Sequence, residues 1–223
     1  MHGSASRDAS DAPSRGPFLL ALAAGTVAML AVTGWRPHDR LTWLMEVLPV
    51  IVALPLLWWT YRRYPLTTLL YVLVFLHGAV LMLGGMYTYA RVPLGFELQA
   101  WLGLDRNPYD KIGHFMQGFA PAIVAREILV RGRFVNGARM LAFLVVCVVL
   151  AISASYELVE WAAALALGQG AHEFLGTQGD EWDTQSDMFL ALVGASAALA
   201  TLARAHDRQL AALARRNASG TSR

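Results

Sequence analysis

Long apolar segments separated by short polar ones dominate this chain. A helix needs about 20 mostly apolar residues to cross the hydrocarbon core of a membrane, and six segments have close to that length or more. They are Pro17–Gly34, Thr42–Tyr61, Leu66–Ala90, Pro108–Val130, Arg139–Leu167 and Asp183–Ala205. The pattern predicts an all-α polytopic membrane protein built as a bundle of six transmembrane helices.

Composition agrees with that class. Of 223 residues, 56% are hydrophobic and 15% are charged, whereas a soluble domain carries about 25% charged residues. The net charge of +2 does not indicate nucleic-acid binding. We expect a disordered tail over 1–16, one transmembrane domain over 17–205 and a basic tail over 206–223. Asp8 and Asp11 are not typical of a secretory signal, so the first apolar run is predicted to stay as a helix.

The basic residues predict the orientation, because they concentrate on the cytoplasmic side of membrane proteins. If six helices alternate, thirteen of the eighteen Lys and Arg residues fall on the side that holds both termini. Both termini are therefore predicted to face the cytoplasm of a bacterial inner membrane. The loop before the sixth helix then faces the periplasm or the cell exterior.

That loop ends in an acidic stretch, from Gly176 to Asp187, with four acids in twelve residues. A charged side chain costs about 2.5–3.5 kcal/mol at the centre of a membrane helix, so such a cluster beside apolar segments indicates a function. With alternating helices, the other buried ionisable groups fall on the same side. They are Glu46, Asp110, His114, Glu157 and Glu160, with Lys111 at the rim. We expect one polar pocket that opens outward.

Asp110 and His114 are four residues apart, so both project from one face of the fourth helix, and Gln117 continues that face. A carboxylate and an imidazole at this spacing suit a divalent metal or an acid–base pair. In a purely structural alternative, Asn107 caps the helix, Pro108 is its first residue and Asp110 interacts with the helix dipole. His114 would then be a neutral, hydrogen-bonded core residue.

Glu157 and Glu160 lie three residues apart on the fifth helix. Two close carboxylates in a low dielectric do not both ionise without compensation: either one keeps a proton, a cation lies between them or an arginine pairs with them. The structural alternative is an ion pair with Arg91, Arg106 or Lys111.

Asp180, Asp183 and Asp187 follow at intervals of three and four residues. Asp183 is predicted to cap the sixth helix, whereas Asp187 lies one turn further in, beyond a capping position. His172 and Glu173 in the preceding loop are expected to be exposed. The strong enzyme motifs (HExxH, P-loop, GxSxG and CxxC) do not occur in the sequence.

Three interpretations follow. In the first, the protein binds or acts on a lipid or another envelope component, and its site residues are Asp110, His114, Glu157, Glu160, Asp183 and Asp187. The proposed cofactor is a divalent cation: Mg²⁺, Mn²⁺ or Ca²⁺ through oxygen ligands, or Zn²⁺ through His114. In the second, Glu157, Glu160 and His77 form the relay of a proton-coupled carrier, which the apolar inner halves of the helices disfavour. In the third, the polar network only locks helix packing.

Three motifs together resemble a known family. They are Tyr109-Asp110-Lys111-Ile112-Gly113-His114-Phe115, Ser155-Tyr156-Glu157-Leu158-Val159-Glu160-Trp161, and the stretch from Gly176 to Met188. These resemble the YjdF-like family of bacterial inner-membrane proteins over about residues 17–205. The resemblance implies an inner-membrane location and no particular chemistry.

A more distant resemblance is to VanZ-like membrane proteins, which are linked to low-level glycopeptide or lipopeptide resistance. Asp110, Lys111, His114, Phe115, Glu157, Asp187 and Gly194 fit the VanZ-like pattern. Ala191 stands where that pattern has Asn, so the transfer of a role to this position is weakened.

Overall fold

The computed structural model describes residues 15–167 and 178–220. In this part of the chain the secondary structure is helical, without strands. The helices are α1 (Arg15–Trp35), α2 (Arg40–Thr60), α3 (Thr68–Met86), α4 (Pro93–Leu102), α5 (Tyr109–Arg131), α6 (Ala138–Leu167) and α7 (Asp183–Gly220). The predicted N-terminal tail up to residue 14 and the loop residues 168–177, including His172 and Glu173, lie outside the described residues.

The six predicted membrane segments correspond to α1, α2, α3, α5, α6 and α7, so the all-α polytopic fold is confirmed. Five of these helices, all except α5, are long and apolar enough to cross a membrane. Their outer faces carry large exposed apolar side chains, among them Val32, Leu56, Phe143 and Leu165. Hydrocarbon can cover such a surface, whereas water cannot do so favourably.

Helix α5 is the central helix of the bundle and packs against α3, α6 and α7. Its 23 residues are enough to cross a membrane, but its ionisable residues make it too polar to be counted with the other five helices. Twelve of its residues are buried, from Tyr109 to Glu127. Around its middle lies the main apolar core, which includes Leu70, Ile123, Val145 and Ala195. Neighbouring helices therefore shield this polar helix from lipid.

Helices α5 and α7 run parallel and approach each other closely. A Cβ atom added to Gly118 would overlap the carbonyl oxygen of Ala191, and one added to Gly194 would overlap that of Phe115. Small residues at a membrane helix interface allow this backbone contact. The contact fixes the register between the two helices and therefore the positions of the polar groups at the two ends of the bundle. We call these ends of the bundle the Asp110 end and the Glu127 end.

The chain between α3 and α5 differs from the expectation. Helix α3 ends at Met86 rather than at Ala90, because Thr88 and Tyr89 adopt positive φ values of 53° and 51°. The turn buries the Tyr89 ring against Gly84 and Gly113, where added Cβ atoms would collide with it. Helix α4 follows, a short helix that the apolar pattern did not predict.

Helix α7 continues past Ala205, where we expected the sixth membrane segment to end. His206 is fully buried and Leu213 nearly so. The Gln209 side-chain oxygen accepts a hydrogen bond from the Leu69 backbone N–H at 2.9 Å. Packing on the start of α3 therefore extends the helix.

Candidate functional site

His114 lies at the centre of the polar cluster at the Asp110 end. Its Nε2 is 3.5 Å from an oxygen of Asp110, one turn earlier on α5. The same nitrogen is 3.7 Å from an oxygen of Asp187 on α7. One ligand atom of each of these three residues lies within 4.8 Å of the other two, close enough for all three to hold one metal ion.

Glu157 and Glu160 approach the same histidine from α6. With His114 they form a second group whose ligand atoms also lie within 4.8 Å of one another. Glu157 is buried and Glu160 is half-buried. The structure therefore brings together five of the six side chains predicted for the site, from three helices that are distant in sequence. Their catalytic and metal-binding roles stay predictions.

The contact with Gln117 determines which nitrogen of the neutral His114 ring is unprotonated and faces the carboxylates. The Gln117 side-chain oxygen lies 3.0 Å from His114 Nδ1, so in the neutral ring Nδ1–H donates to it. Nε2 is then the unprotonated nitrogen and points towards Asp110 and Asp187. A ligating histidine is commonly oriented in this way by a partner on its other nitrogen. The alternative is a doubly protonated ring that forms ion pairs with both carboxylates.

Several buried oxygen atoms of the cluster have no hydrogen-bond partner within the described residues. One carboxylate oxygen of each of Asp110, Glu157 and Asp187 is in this state, as is the Ser153 hydroxyl oxygen. Asp187 is 2% exposed. A buried polar atom without a partner costs free energy, and carboxylates this close together repel one another. A bound cation would remove both costs.

Asp183 lies at the edge of this cluster and pairs with an arginine. It is the first residue of α7, and its oxygen is 2.8 Å from Arg106. Arg106 also lies 3.0 Å from Asp180. Partial burial alone would lower the pKa of Arg106, but the hydrogen bond and charge of Asp183 and the charge of Asp180 raise it. The predicted capping role of Asp183 is replaced by an ion pair, and Asp183 is outside both metal-binding groups.

The start of α5 differs from the prediction by one residue. The helix begins at Tyr109 rather than at Pro108, so Asp110 is its second residue. The Asn107 side-chain oxygen still accepts the Tyr109 backbone N–H, at 3.0 Å. Asn107 also donates to the Val92 carbonyl at 3.0 Å. Asn107 therefore connects the start of α4 to α5, and it also accepts a hydrogen bond from a free backbone amide at the start of α5.

Three further predicted residues lie around the cluster. Glu46 is 5% exposed and lines the same cavity as Asp110, as does His77, whose Nε2 has no hydrogen-bond partner among the described residues. Lys111 is half-buried, and no hydrogen bond or ion pair joins it to the cluster in the described part of the chain. Its position at the rim remains a prediction.

A cavity of about 790 Å³ extends from the cluster towards the other end of the bundle. Residues of α1 and α2 line one side, α5 and α6 the other, and α3 forms a third wall. Glu46, Asp110 and His114 lie at one end of it, and Trp58 and Arg62 at the other. Ligand sites have volumes of about 300–1,000 Å³, so the cavity is large enough for a ligand.

The Glu127 end holds a second buried polar cluster that the sequence analysis missed. Glu127 and His206 are both 0% exposed, and His206 Nε2 donates to Glu127 at 3.0 Å. His206 Nδ1 accepts from Arg126 at 2.9 Å. Arg131 donates to Glu127 at 2.8 Å. The expectation that the inner halves of the helices are apolar is therefore wrong for α5 and α7.

The two clusters differ in how well their charges are compensated. Glu127 also accepts from the Thr67 hydroxyl at 2.8 Å, and Arg126 pairs with Asp207 at 2.7 Å. Acids and bases are thus matched at this end, and the buried groups are hydrogen-bonded. This arrangement is typical of a structural network. The Asp110 cluster has an excess of carboxylates, which is typical of a cation site.

Comparison with known proteins places the chain among bacterial membrane proteins. A family profile described as "Predicted membrane protein (DUF2238)" matches residues 18–208. The chain is 65% identical over 195 residues to the inner membrane protein YjdF of Escherichia coli (strain K12), and the match covers 87% of this chain and 93% of that protein. No solved structure matches the chain. The inner-membrane location and the YjdF-like resemblance are confirmed, and the VanZ-like resemblance stays a prediction.

Proposed function

The chain belongs to the DUF2238 family of predicted membrane proteins, and we propose that it holds a divalent cation between α5, α6 and α7. This cation is presented to a lipid or another component of the cell envelope. The ligands come from the cluster around His114, namely Asp110, Asp187, Glu157 and Glu160.

One observation carries the proposal: around His114, whose Nε2 is unprotonated in the neutral ring, Asp110, Glu157 and Asp187 each keep a buried carboxylate oxygen without a hydrogen-bond partner among the described residues. Without a cation, this arrangement is repulsive in a low dielectric. With a cation, the lone pair and the oxygens become ligands. Two ligands that each lie about 2.4 Å from a Ca²⁺ ion are at most about 4.8 Å apart, and no two ligand atoms within either group are further apart than that.

The ligand set favours a hard cation. Four carboxylates and one imidazole suit Mn²⁺, Mg²⁺ or Ca²⁺, and the imidazole also permits Zn²⁺. A cation held in this way would polarise a phosphoryl or carbonyl oxygen of a bound ligand.

We propose that the Asp110 end faces the periplasm, as the distribution of basic residues indicates. In support, Arg62, Arg131 and Arg133 lie near the Glu127 end. Basic residues concentrate at the cytoplasmic interface of membrane helices, whereas aromatic residues are common at both interfaces.

The carrier interpretation has less support, although both ends of α5 are polar. Between Gln117 and Arg126 the helix carries apolar residues such as Ala120 and Ile123, and the nine positions correspond to about 13 Å along its axis. A proton or ion path would need polar groups across that distance. The buried polar groups of the Glu127 cluster are moreover hydrogen-bonded to one another, so they do not continue a relay from His114.

Metal analysis of the purified protein tests the proposal. We expect about one equivalent of Mn²⁺ or Mg²⁺ after dialysis, removal by EDTA, and loss in the Asp187→Asn variant. The matched control is Asp105→Asn, because Asp105 is exposed at the same end. Absence of metal from the wild type, with Asp187→Asn lowering only thermal stability, would instead identify an ion pair between a doubly protonated His114 and its neighbours.

A further inference from the structure

We propose that the cavity between the α1–α2 pair and the α5–α6 pair holds one hydrocarbon chain of a membrane lipid whose phosphate head binds the cation at the Asp110 end. This inference rests on the proposed function and adds the class of ligand.

The length of the cavity suits a lipid chain. On α5 its lining begins at Asp110 and continues to Val124, which is about 21 Å along the helix axis at 1.5 Å per residue. The hydrocarbon core of a bilayer is about 30 Å thick. The cavity therefore follows α5 over a length comparable to much of one bilayer thickness, and a small polar metabolite would fill only a fraction of it.

The walls between the two ends are mostly apolar. They include Leu19 and Ala23 of α1, Val50 and Ala53 of α2, and Ile152 of α6. Water or an ion would gain few hydrogen bonds there, whereas a hydrocarbon chain is favoured by contact with such walls. The middle of the cavity therefore selects an apolar occupant.

The Asp110 end selects the head group. Carboxylates repel an anion directly, but a cation with six or more ligands, held by His114 and one oxygen of each of the four carboxylates, keeps a position open for a further oxygen ligand. Phosphate oxygens are common ligands of such ions. A phosphate monoester joined to a long chain satisfies both parts of the cavity.

His77 provides a second polar point near the head. It lines the cavity on α3, and its Nε2 has no hydrogen-bond partner within the described residues. The bond between the phosphate and the chain of a lipid carries oxygen atoms just below the head. A hydrogen bond from His77 to one of them would fix how deeply the ligand sits.

Binding of oleoyl lysophosphatidic acid tests the inference, with mono-oleoylglycerol and inorganic phosphate as comparison ligands. Native mass spectrometry and calorimetry on the full chain in detergent, with Mn²⁺ present, measure all three. We expect the wild type to bind the lysophosphatidic acid more tightly than either comparison ligand, because only this lipid uses both the cation and the apolar walls.

Two variants separate the chain site from the cation site. Ala53→Phe places a ring in the cavity and should weaken lysophosphatidic acid binding by about tenfold or more, which corresponds to the loss of roughly two buried methylene groups. It should leave Mn²⁺ and inorganic phosphate binding unchanged. Its control is Ala151→Phe on the exposed face of α6, which should bind like the wild type. Asp187→Asn should lose Mn²⁺ and the preference for the phosphate-bearing lipid.

The outcomes distinguish the two proposals. One outcome is that Mn²⁺ binds and that Ala53→Phe, Ala151→Phe and wild type retain lipid equally. The lipid would then be bound non-specifically around the bundle, which would overturn the lipid inference but not the proposed cation site. Tight binding of inorganic phosphate without a gain from the chain would do the same. Lipid binding that Ala53→Phe weakens but EDTA does not change would overturn the cation-bound head, and with it the proposed function.

Discussion

The backbone of Gly118 on α5 lies directly against the carbonyl group of Ala191 on α7, with no space for a side chain between them. One turn before Gly118 is His114, and one turn before Ala191 is Asp187. The contact between these two small residues thus determines the separation of the two side chains that define the candidate cation site. The packing of α5 against α7 therefore also sets the geometry of the candidate cation site.

Replacement of Gly118 by alanine is therefore expected to destabilise the protein. In an ordinary helix this change stabilises by about 0.5–1 kcal/mol, but here the methyl group overlaps the Ala191 carbonyl, and overpacking typically costs about 1–3 kcal/mol. Thermal unfolding in detergent measures the net effect. Gly16→Ala is the control, since nothing lies within 4 Å of a Cβ at that position. Equal melting temperatures for the two variants would contradict the close contact.

The satisfied cluster at the Glu127 end predicts a large effect of a single truncation. Glu127→Ala leaves Arg131, Thr67 and His206 without their common acceptor, and breaking a buried ion pair in this way costs about 3–5 kcal/mol. Asp207→Ala should cost less than about 1 kcal/mol, because the Asp207 side chain is 58% exposed and exposed pairs contribute little. Denaturation of both variants in the same detergent checks this. Similar losses would show that the network is not the stabilising element.

Gln117 offers a test of the orientation of His114. Gln117→Ala removes the acceptor at Nδ1, and loss of such a supporting partner typically lowers metal affinity by about 10–100-fold. The ligands themselves are unchanged, so some binding should remain. Mn²⁺ titration of Gln117→Ala against Gln185→Ala, an exposed glutamine at the same end, makes the comparison. Unchanged affinity in Gln117→Ala would mean that His114 is not held by Gln117 when the ion binds.

The cap of α2 gives a pH-dependent prediction. The Asp39 carboxylate accepts the Thr42 backbone N–H at 2.7 Å, and this hydrogen bond lowers the pKa of Asp39 below 3.8. The stabilisation is therefore present above the unfolded-state pKa and is lost as the pH falls through the folded-state value. Asp39→Ala should cost about 1 kcal/mol at neutral pH, and the gap to wild type should narrow below about pH 4.

Asp39→Asn is the matched variant for that prediction, since asparagine caps a helix about as well as aspartate. Melting temperatures of the three proteins at pH 7 and pH 3 provide the measurement. A gap between wild type and Asp39→Ala that stays constant with pH would exclude a contribution from the ionised cap.

The proposed orientation predicts which positions react with a membrane-impermeant maleimide. In a Cys147→Ala background, a single cysteine in the Asp105→Cys variant should be labelled in intact spheroplasts. One in the Asn136→Cys variant, in the loop at the Glu127 end, should be labelled only after lysis. Both native side chains are exposed, so accessibility alone does not separate them. The reverse labelling pattern would place the Asp110 end in the cytoplasm.

Local spacing was sufficient to predict much of the candidate site. The i, i+4 relation of Asp110 and His114 and the i, i+3 relation of Glu157 and Glu160 place each pair on one helix face. Alternation of the helices then brings both pairs to one end of the bundle. Asp187, near the start of the sixth predicted helix, was placed at the same end by the same alternation. These predictions required only periodicity and apolar length.

The Glu127–His206 pair could not be predicted in the same way. Each residue lies near the end of an apolar segment, among basic residues, and alone resembles a solvated flank. The pairing depends on the α5–α7 register, which is fixed by backbone contact at Gly118 and Gly194 rather than by any pattern of apolar residues. Helix α4 was missed because ten residues are too few to stand out as a membrane segment.

The central position of α5 also constrains how the protein is made. A segment that carries Asp110, His114, Arg126 and Glu127 does not partition into lipid by itself at low cost, and two of the helices that cover it, α6 and α7, are synthesised later. Stable insertion of α5 therefore depends on the arrival of its neighbours. The candidate cation site is complete only when α6 and α7 have packed on α5, so we expect a truncated chain that ends after α5 to be a substrate for quality-control proteases rather than a smaller working protein.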